Sequence, residues 1–199
     1  MKAFEGAQRL PSGKIELCSK RGFLTPEECA ALITRIDEQR RPSTLADHYG
    51  DADFRTSETC DLDGADPFVA GIAQRIAGFL GLDPAHGEPL QGQRYAIGQQ
   101  FKPHTDCFEP GGLGYAEYCG TAGQRTWTGM VYLNVPEAGG ATRFKHLDKT
   151  FQPETGKIMA WNNLLPSGLP NPMTLHQGMP VRAGTKYVIT AWFRQKPWG

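Results

Sequence analysis

The chain has no excess of charge of either sign: 21 Lys and Arg stand against 21 Asp and Glu, mixed along 199 residues. Without a basic stripe, tight non-specific binding to nucleic acid or to an anionic membrane surface is disfavoured. CxxC pairs are also missing. The five cysteines, Cys18, Cys29, Cys60, Cys107 and Cys119, are odd in number and widely spread. That argues against a disulfide framework or a four-thiolate zinc site and fits a reducing compartment. The opening MKAFEGAQRLPSGK lacks the apolar stretch of a secretory signal. No apolar run approaches the roughly 20 residues needed to span a bilayer. A soluble, cytoplasmic protein is expected, with neither nucleic acid nor membrane as partner. Internal repeats, low-complexity tracts and dividing linkers are absent too.

What is present fits one domain over residues 1–199, long enough to bury a core without staples. Thr25-Pro26-Glu27-Glu28 offers an N-cap hydroxyl, a proline for the first helical position and a capping-box Glu. Leu32, Ile33 and Ile36 follow at helical spacing, and the pattern ends near Arg40-Arg41-Pro42. A second helix should open at Asp66-Pro67. It carries Val69, Ile72, Ala73, Ile76, Phe79 and Leu80 on an apolar face and stops at Gly81.

From about residue 90 the texture changes to short runs rich in β-branched and aromatic residues: Arg94–Ile97, Trp127–Leu133, Lys157–Trp161 and Lys186–Phe193. Gly, Pro and Asn separate them. The expectation is an α+β domain, a helical part at 1–88 packed on a β-sandwich or barrel core at 89–199. Glu109–Gly123 reads as a long Gly-rich loop and Pro166–Pro172 as a second loop.

One pattern carries chemistry. In the extended segment around His104-Thr105-Asp106, side chains two apart point to one face, so an imidazole and a carboxylate can converge on one ion. Two His and one carboxylate would occupy one face of an octahedral ion and leave three positions open, which suits non-haem Fe(II) enzymes. HxD alone is weak, because a His held by a neighbouring carboxylate explains it as well. His176, in TLHQG, offers a third ligand. Lys186, ten residues on, shares one strand face with Val188, Thr190 and Trp192. An inward lysine needs an anionic partner, and a dicarboxylate would supply one. Tyr95 brings a hydroxyl shortly before the HxD.

The stretches RYAIGQQFKPHTD, GQRTWTGMVYLNVPEAGGATRF, PETGKIMAW and TLHQGMPVRAGTKYVITAWFR, in this order, strongly resemble the prolyl 4-hydroxylase-like branch of the Fe(II)/2-oxoglutarate dioxygenases. The resemblance is dense from Arg94 to Trp198 and sparse before it, where Arg55-Thr56-Ser57 resembles a family segment. It implies a double-stranded β-helix, a jelly-roll barrel, buttressed by the N-terminal helices. It also implies Fe(II), 2-oxoglutarate and O2, with ascorbate as a reductant. His104, Asp106 and His176 fall on the iron ligands. Lys186 falls on the partner of the distal 2-oxoglutarate carboxylate, and Tyr95 and Thr142 on hydroxyls that help hold that co-substrate. Arg55, Arg125 and Trp192 fall near the substrate mouth.

Three departures bear on substrate. The Asp106–Arg125 loop is longer than in peptide prolyl hydroxylases, Phe101 replaces an aromatic hydroxyl, and Lys145-His146 follows Phe144 where a proline is usual. Hydroxylation of a prolyl residue in a peptide or protein is the expected activity. A free amino acid or small metabolite is the alternative substrate, and a non-catalytic metal- or ligand-binding jelly roll the alternative from another class. Arg125 could equally sit in a surface ion pair, and Trp127 and Trp192 could be core aromatics. His48, His86 and His146 lack ligand-spaced partners, and Cys107 reads as a bystander.

Overall fold

The computed structural model describes residues 3–44, 53–112 and 114–199; His48 lies outside them. Both expected helices form where their caps place them. Helix α1 (Pro26–Gln39) starts at Thr25, whose hydroxyl accepts from Glu28 N at 3.2 Å while the Glu28 carboxylate accepts from Thr25 N at 2.9 Å. Helix α2 (Pro67–Leu80) is capped by Asp66, whose carboxylate accepts from Phe68 N, and ends at Gly81 with φ +71°. A left-handed residue there lets the chain turn while its N–H reaches the last carbonyls, which glycine does without strain.

Among the described residues there are fourteen strands, numbered in chain order. The first half supplies β1 (Gln8–Arg9), β2 (Leu17–Lys20), β3 (Arg41–Pro42) and β4 (Glu58–Asp61). Next come β5 (Gln91–Tyr95), β6 (Phe101–His104), β7 (Arg125–Tyr132), β8 (Ala138–Gly139) and β9 (Thr142–Phe144). The last are β10 (Lys149–Phe151), β11 (Ile158–Asn162), β12 (His176–Gly178), β13 (Val181–Ala183) and β14 (Lys186–Arg194). A short helix α3 (Tyr115–Cys119) lies within the 109–123 loop.

The strands form an eight-stranded sheet in the order β1-β2-β11-β7-β14-β5-β4-β3, a four-stranded sheet β10-β9-β12-β6 and the small pair β13-β8. This is a double-stranded β-helix, a jelly roll with helices against one sheet. The segment before residue 89, expected to be helical, also supplies four strands of the large sheet. Two of those are only two residues long, and all four carry too little alternation to be seen without their partners.

Strand parity divides the core in two. Tyr187, Ile189, Ala191 and Phe193 of β14 pack with Leu32, Ile36, Ile72, Ile76 and Phe79 of the helices. Val188 of β14 packs on the other face with Tyr95, Met130, Tyr132, Phe144 and Trp161, between the sheets. The helices press onto the large sheet at two glycines. A Cβ on Gly92 of β5 would overlap Ile36, and one on Gly129 of β7 would stand 2.9 Å from Ile76 Cγ2. Among the described residues no helix is long and apolar enough to cross a membrane.

Those two contacts yield a stability test. Gly92→Ala and Gly129→Ala should each cost about 1–3 kcal/mol by overpacking, or roughly 2–12 °C in melting temperature for a chain of this size. Gly64→Ala, with nothing within 4 Å of the added carbon, should change stability by less than about 0.5 kcal/mol. Thermal unfolding by circular dichroism checks all three.

Candidate metal centre and adjoining cavities

His104 ends β6 and His176 opens β12, and the antiparallel register sets these two residues directly opposite each other. Asp106 follows His104 by two residues. One donor atom from each of the three lies within 4.8 Å of the others, and no other such group of His, Cys, Asp and Glu occurs among the described residues. His104 Nδ1 is 2.7 Å from Lys102 O, and His176 Nδ1 is 2.8 Å from Thr174 O. With each Nδ1–H donating to a carbonyl, each Nε2 keeps its lone pair for a shared ion. Phe101 stacks on the His104 ring at 3.5 Å, and Trp161 meets the His176 ring edge-on at 4.9 Å.

The carboxylate is oriented from behind. Asp106 Oδ2 accepts from Thr128 Oγ1 at 2.7 Å, and Thr128 Oγ1 accepts from Asn163 Nδ2 at 2.9 Å. Asp106 Oδ1 remains, 3.9 Å from His104 Nε2. Burial, then the neighbouring His176, pulls the His104 pKa down to about 3, so its imidazole is neutral at neutral pH. Burial opposes ionisation of Asp106. His176, His104, Arg125 and the Thr128 hydrogen bond nevertheless hold its carboxyl below its ordinary range. Two imidazoles and one carboxylate on one side of a shared centre form a donor set that suits a divalent iron.

Beside the trio lies a pocket walled also by Tyr95, Thr142 and Lys186. Lys186 is 2% exposed. Its ammonium makes no hydrogen bond or ion pair with any described residue; the Tyr95 and Tyr132 rings lie 5.1 and 5.5 Å away. Burial alone lowers its pKa to about 7. A buried ammonium without a counter-charge is costly, so the pocket is built for an anion. Thr142 Oγ1 accepts from the Tyr132 hydroxyl at 2.7 Å.

A larger cavity adjoins the pocket and shares Phe101, His104, Asp106 and Trp192 with it. Phe54, Phe108 and Tyr118 line it together with Arg55 and Arg125. Arg55, Arg125 and Trp192 are therefore gathered at one groove. Arg55 donates to Ser57, Thr59 and Gln91, all neutral, and lies over the Phe101 ring at 4.9 Å. Arg125 instead grips the Glu88 carboxylate at 2.7 and 2.8 Å and stacks on Trp192 at 3.9 Å. It is an ion pair, inside the groove wall. The buried Trp192 indole N–H has no partner among the described residues.

The 109–123 loop is pinned at its base. Phe108 N donates to Gln124 Oε1 and Gln124 Nε2 donates to Phe108 O, while the Phe108 and Tyr118 rings stack at 5.2 Å. His86 and His146 lie outside the trio, with Nδ1 against the carbonyls of Arg194 and Pro172. Cys107 donates to Asn163 O, and burial pushes its pKa up to about 12, which leaves an inert thiol. Thr128, Asn163 and Gln93 are site residues that the sequence reading missed. Thr128 and Gln93 were accessible by strand parity, two residues from Met130 and Tyr95.

Residues 90–194, just over half of the chain, match the family model of the 2OG-Fe(II) oxygenase superfamily, and the chain belongs to that family. It is 34% identical over 146 residues, 73% of its length, to prolyl 4-hydroxylase subunit alpha-1 of Gallus gallus, and the match spans 28% of that protein. Prolyl 4-hydroxylase 2 of Arabidopsis thaliana is 30% identical over 197 residues, a match covering 86% of this chain and 64% of the relative. Among solved structures, the viral collagen prolyl hydroxylase of Paramecium Bursaria Chlorella virus-1, in its 2OG complex, aligns with a TM-score of 0.69 at 27% identity. That alignment covers 89% of this chain and 95% of the viral one. A Pseudomonas putida prolyl-4-hydroxylase shares the fold, with a TM-score of 0.59 at 18% identity over 90% of this chain and 92% of that one.

If the trio holds a divalent ion, His176→Ala should abolish stoichiometric binding of Co(II) or Fe(II). Thr128→Val, which leaves all three donors in place, should weaken it by about 10- to 100-fold. Anaerobic metal titration reads both, and full binding by His176→Ala would exclude this site.

Proposed function

We propose that the protein is an Fe(II)- and 2-oxoglutarate-dependent dioxygenase that hydroxylates a C–H bond of a prolyl residue in a peptide or protein. The observation that carries this reading is the buried ammonium of Lys186, unpaired among the described residues, in the same pocket as the His104–Asp106–His176 trio. A dicarboxylate satisfies both ends of that pocket at once. The trio would hold Fe(II) and Lys186 would pair with the distal carboxylate of 2-oxoglutarate, with Tyr95 and Thr142 offering hydroxyls beside it. When bound, iron and co-substrate supply oxidative decarboxylation to succinate and CO2, coupled to transfer of one oxygen atom to the substrate. The chain's part is to orient both, to keep three coordination positions open and to exclude water from the pocket.

The groove supports a peptide over a free amino acid. Proline-rich segments in extended left-handed helices dock on aromatic-lined grooves, and Phe54, Phe101, Phe108, Tyr118 and Trp192 line this one. Arg55, whose hydrogen-bond partners among the described residues are neutral, would reach a substrate carbonyl or carboxylate, whereas Arg125 and Trp192 would form the wall against which it lies. The curated relatives carry the name prolyl 4-hydroxylase, although the chain spans 28% of the first and 64% of the second. Residues 1–199 would act as one catalytic unit in the cytoplasm, with ascorbate as reductant.

A succinate-release screen over proline-rich peptides, free proline and other amino acids tests the proposal. Peptide-dependent succinate is expected. Turnover confined to free amino acids would move the reading to a metabolite hydroxylase, and no turnover of 2-oxoglutarate under any condition would overturn it.

Lys186 adds a pH dependence. Lys186→Met should weaken 2-oxoglutarate binding by about 10- to 100-fold, the loss of a charge-assisted contact of roughly 1.5–3 kcal/mol. Below pH 7 the empty-site ammonium is already charged. Above it, binding must first recover a proton, because a bound carboxylate raises the pKa that burial had lowered to about 7. Affinity of the metal-loaded protein should therefore fall about tenfold between about pH 6 and pH 8. In Lys186→Met that slope should vanish; calorimetry at several pH values reads both.

A further inference from the structure

The inner face of the large sheet carries a run of hydrogen bonds that joins the two cavities. Residues two apart on a strand share a face, and Gln91, Gln93 and Tyr95 of β5 form such a row. The Tyr95 hydroxyl donates to Gln93 Oε1 at 3.3 Å. Gln93 Nε2 donates to Gln91 Oε1 at 3.1 Å and to Thr190 Oγ1 of β14 at 3.3 Å. Gln91 Oε1 accepts a second hydrogen bond, from Arg55 Nη2, at 2.8 Å. Tyr95 and Gln93 line the pocket with Lys186, whereas Gln91 and Arg55 line the groove.

Gln93 is 5% exposed, and both ends of its amide are engaged. The oxygen faces Tyr95 in the pocket, and the nitrogen is shared between Thr190 of the pocket and Gln91 of the groove. A buried amide held in this way cannot lose a partner at one end without cost, and a shift that repairs that end disturbs the other. An anion bound at Lys186 competes for the Tyr95 proton. Once that hydroxyl turns towards the anion, Gln93 Oε1 lacks its donor, and the amide must move relative to Gln91, the acceptor that holds Arg55. In the opposite direction, a ligand that draws Arg55 away frees Gln91 and, through Gln93, alters how readily Tyr95 turns.

We propose that Gln93 is a positioning residue that couples occupancy of the pocket beside Lys186 to the setting of Arg55 in the groove. The inference rests on the reading that this pocket takes 2-oxoglutarate. Coupling between two sites is reciprocal, so it can be read from the co-substrate side with no knowledge of the true substrate.

The experiment is a double-substitution cycle on 2-oxoglutarate affinity, measured by calorimetry on the full chain loaded with Mn(II). Arg55→Ala should change the dissociation constant by about fivefold or more. The same substitution in a Gln93→Met background, similar in size but unable to transmit the bond, should change it less than about twofold. Gln91→Met breaks the chain outside the pocket and should suppress the effect equally, so it carries the test if Gln93→Met does not fold. An Arg55→Ala effect that persists undiminished in both backgrounds overturns the relay, as does the absence of any such effect in the parent. Failure of the parent itself to bind 2-oxoglutarate overturns both the relay and the co-substrate reading.

Discussion

The pairing of His176 with His104 across the four-stranded sheet is the contact on which the site depends. β12 lies between β9 and β6, and its register sets His176 opposite Phe144 on one side and His104 on the other. Slipping a strand by one residue sends every side chain to the opposite face, so such a slip would remove one imidazole from the trio altogether. Several features hold the register. Phe144 and Trp161 pack around the His176 ring, Phe101 stacks on His104, and each Nδ1 is tied to a backbone carbonyl. The larger sheet, clamped by α1 and α2 at Gly92 and Gly129, is the rigid wall against which this sheet closes.

Electrostatics then divide the interior into two compartments. On the pocket side stands the buried cation Lys186, with no anion to neutralise it among the described residues. On the groove side there are two guanidinium groups in different states. Arg125 is neutralised by Glu88, which Arg194 also approaches at 2.6 Å, whereas Arg55 is held by neutral oxygens. Among the described residues, neither Lys186 nor Arg55 makes an ion pair. Because charge left unpaired in a low-dielectric interior raises the energy of the empty protein, both positions favour ligands with complementary negative charge or strong acceptors.

Much of this was legible in the sequence because it depends on short-range periodicity. The two-residue spacing of His104 and Asp106, the inward parity of Lys186, Val188, Thr190 and Trp192, and the caps at Thr25, Asp66 and Gly81 all follow from local geometry. Pairing between distant segments was not legible. β2 and β4 are four residues long, and only their neighbours β11 and β5 reveal them as parts of the large sheet. The partner of Arg125, Glu88, lies 37 residues away in a turn-like segment. Asn163 orients Asp106 only through Thr128, a two-step contact that no spacing encodes. The same limit applied to Gln93, since a glutamine on a strand has no signature until its partners are known.

The central claim is that one ferrous ion and one dicarboxylate share the space between the trio and Lys186. Anaerobic addition of Fe(II) and 2-oxoglutarate to the purified protein, followed by visible absorption spectroscopy, tests it most directly. The account predicts a charge-transfer band that requires both additions and is absent when succinate replaces 2-oxoglutarate. A protein that binds Fe(II) stoichiometrically yet develops no such band at saturating 2-oxoglutarate would contradict it.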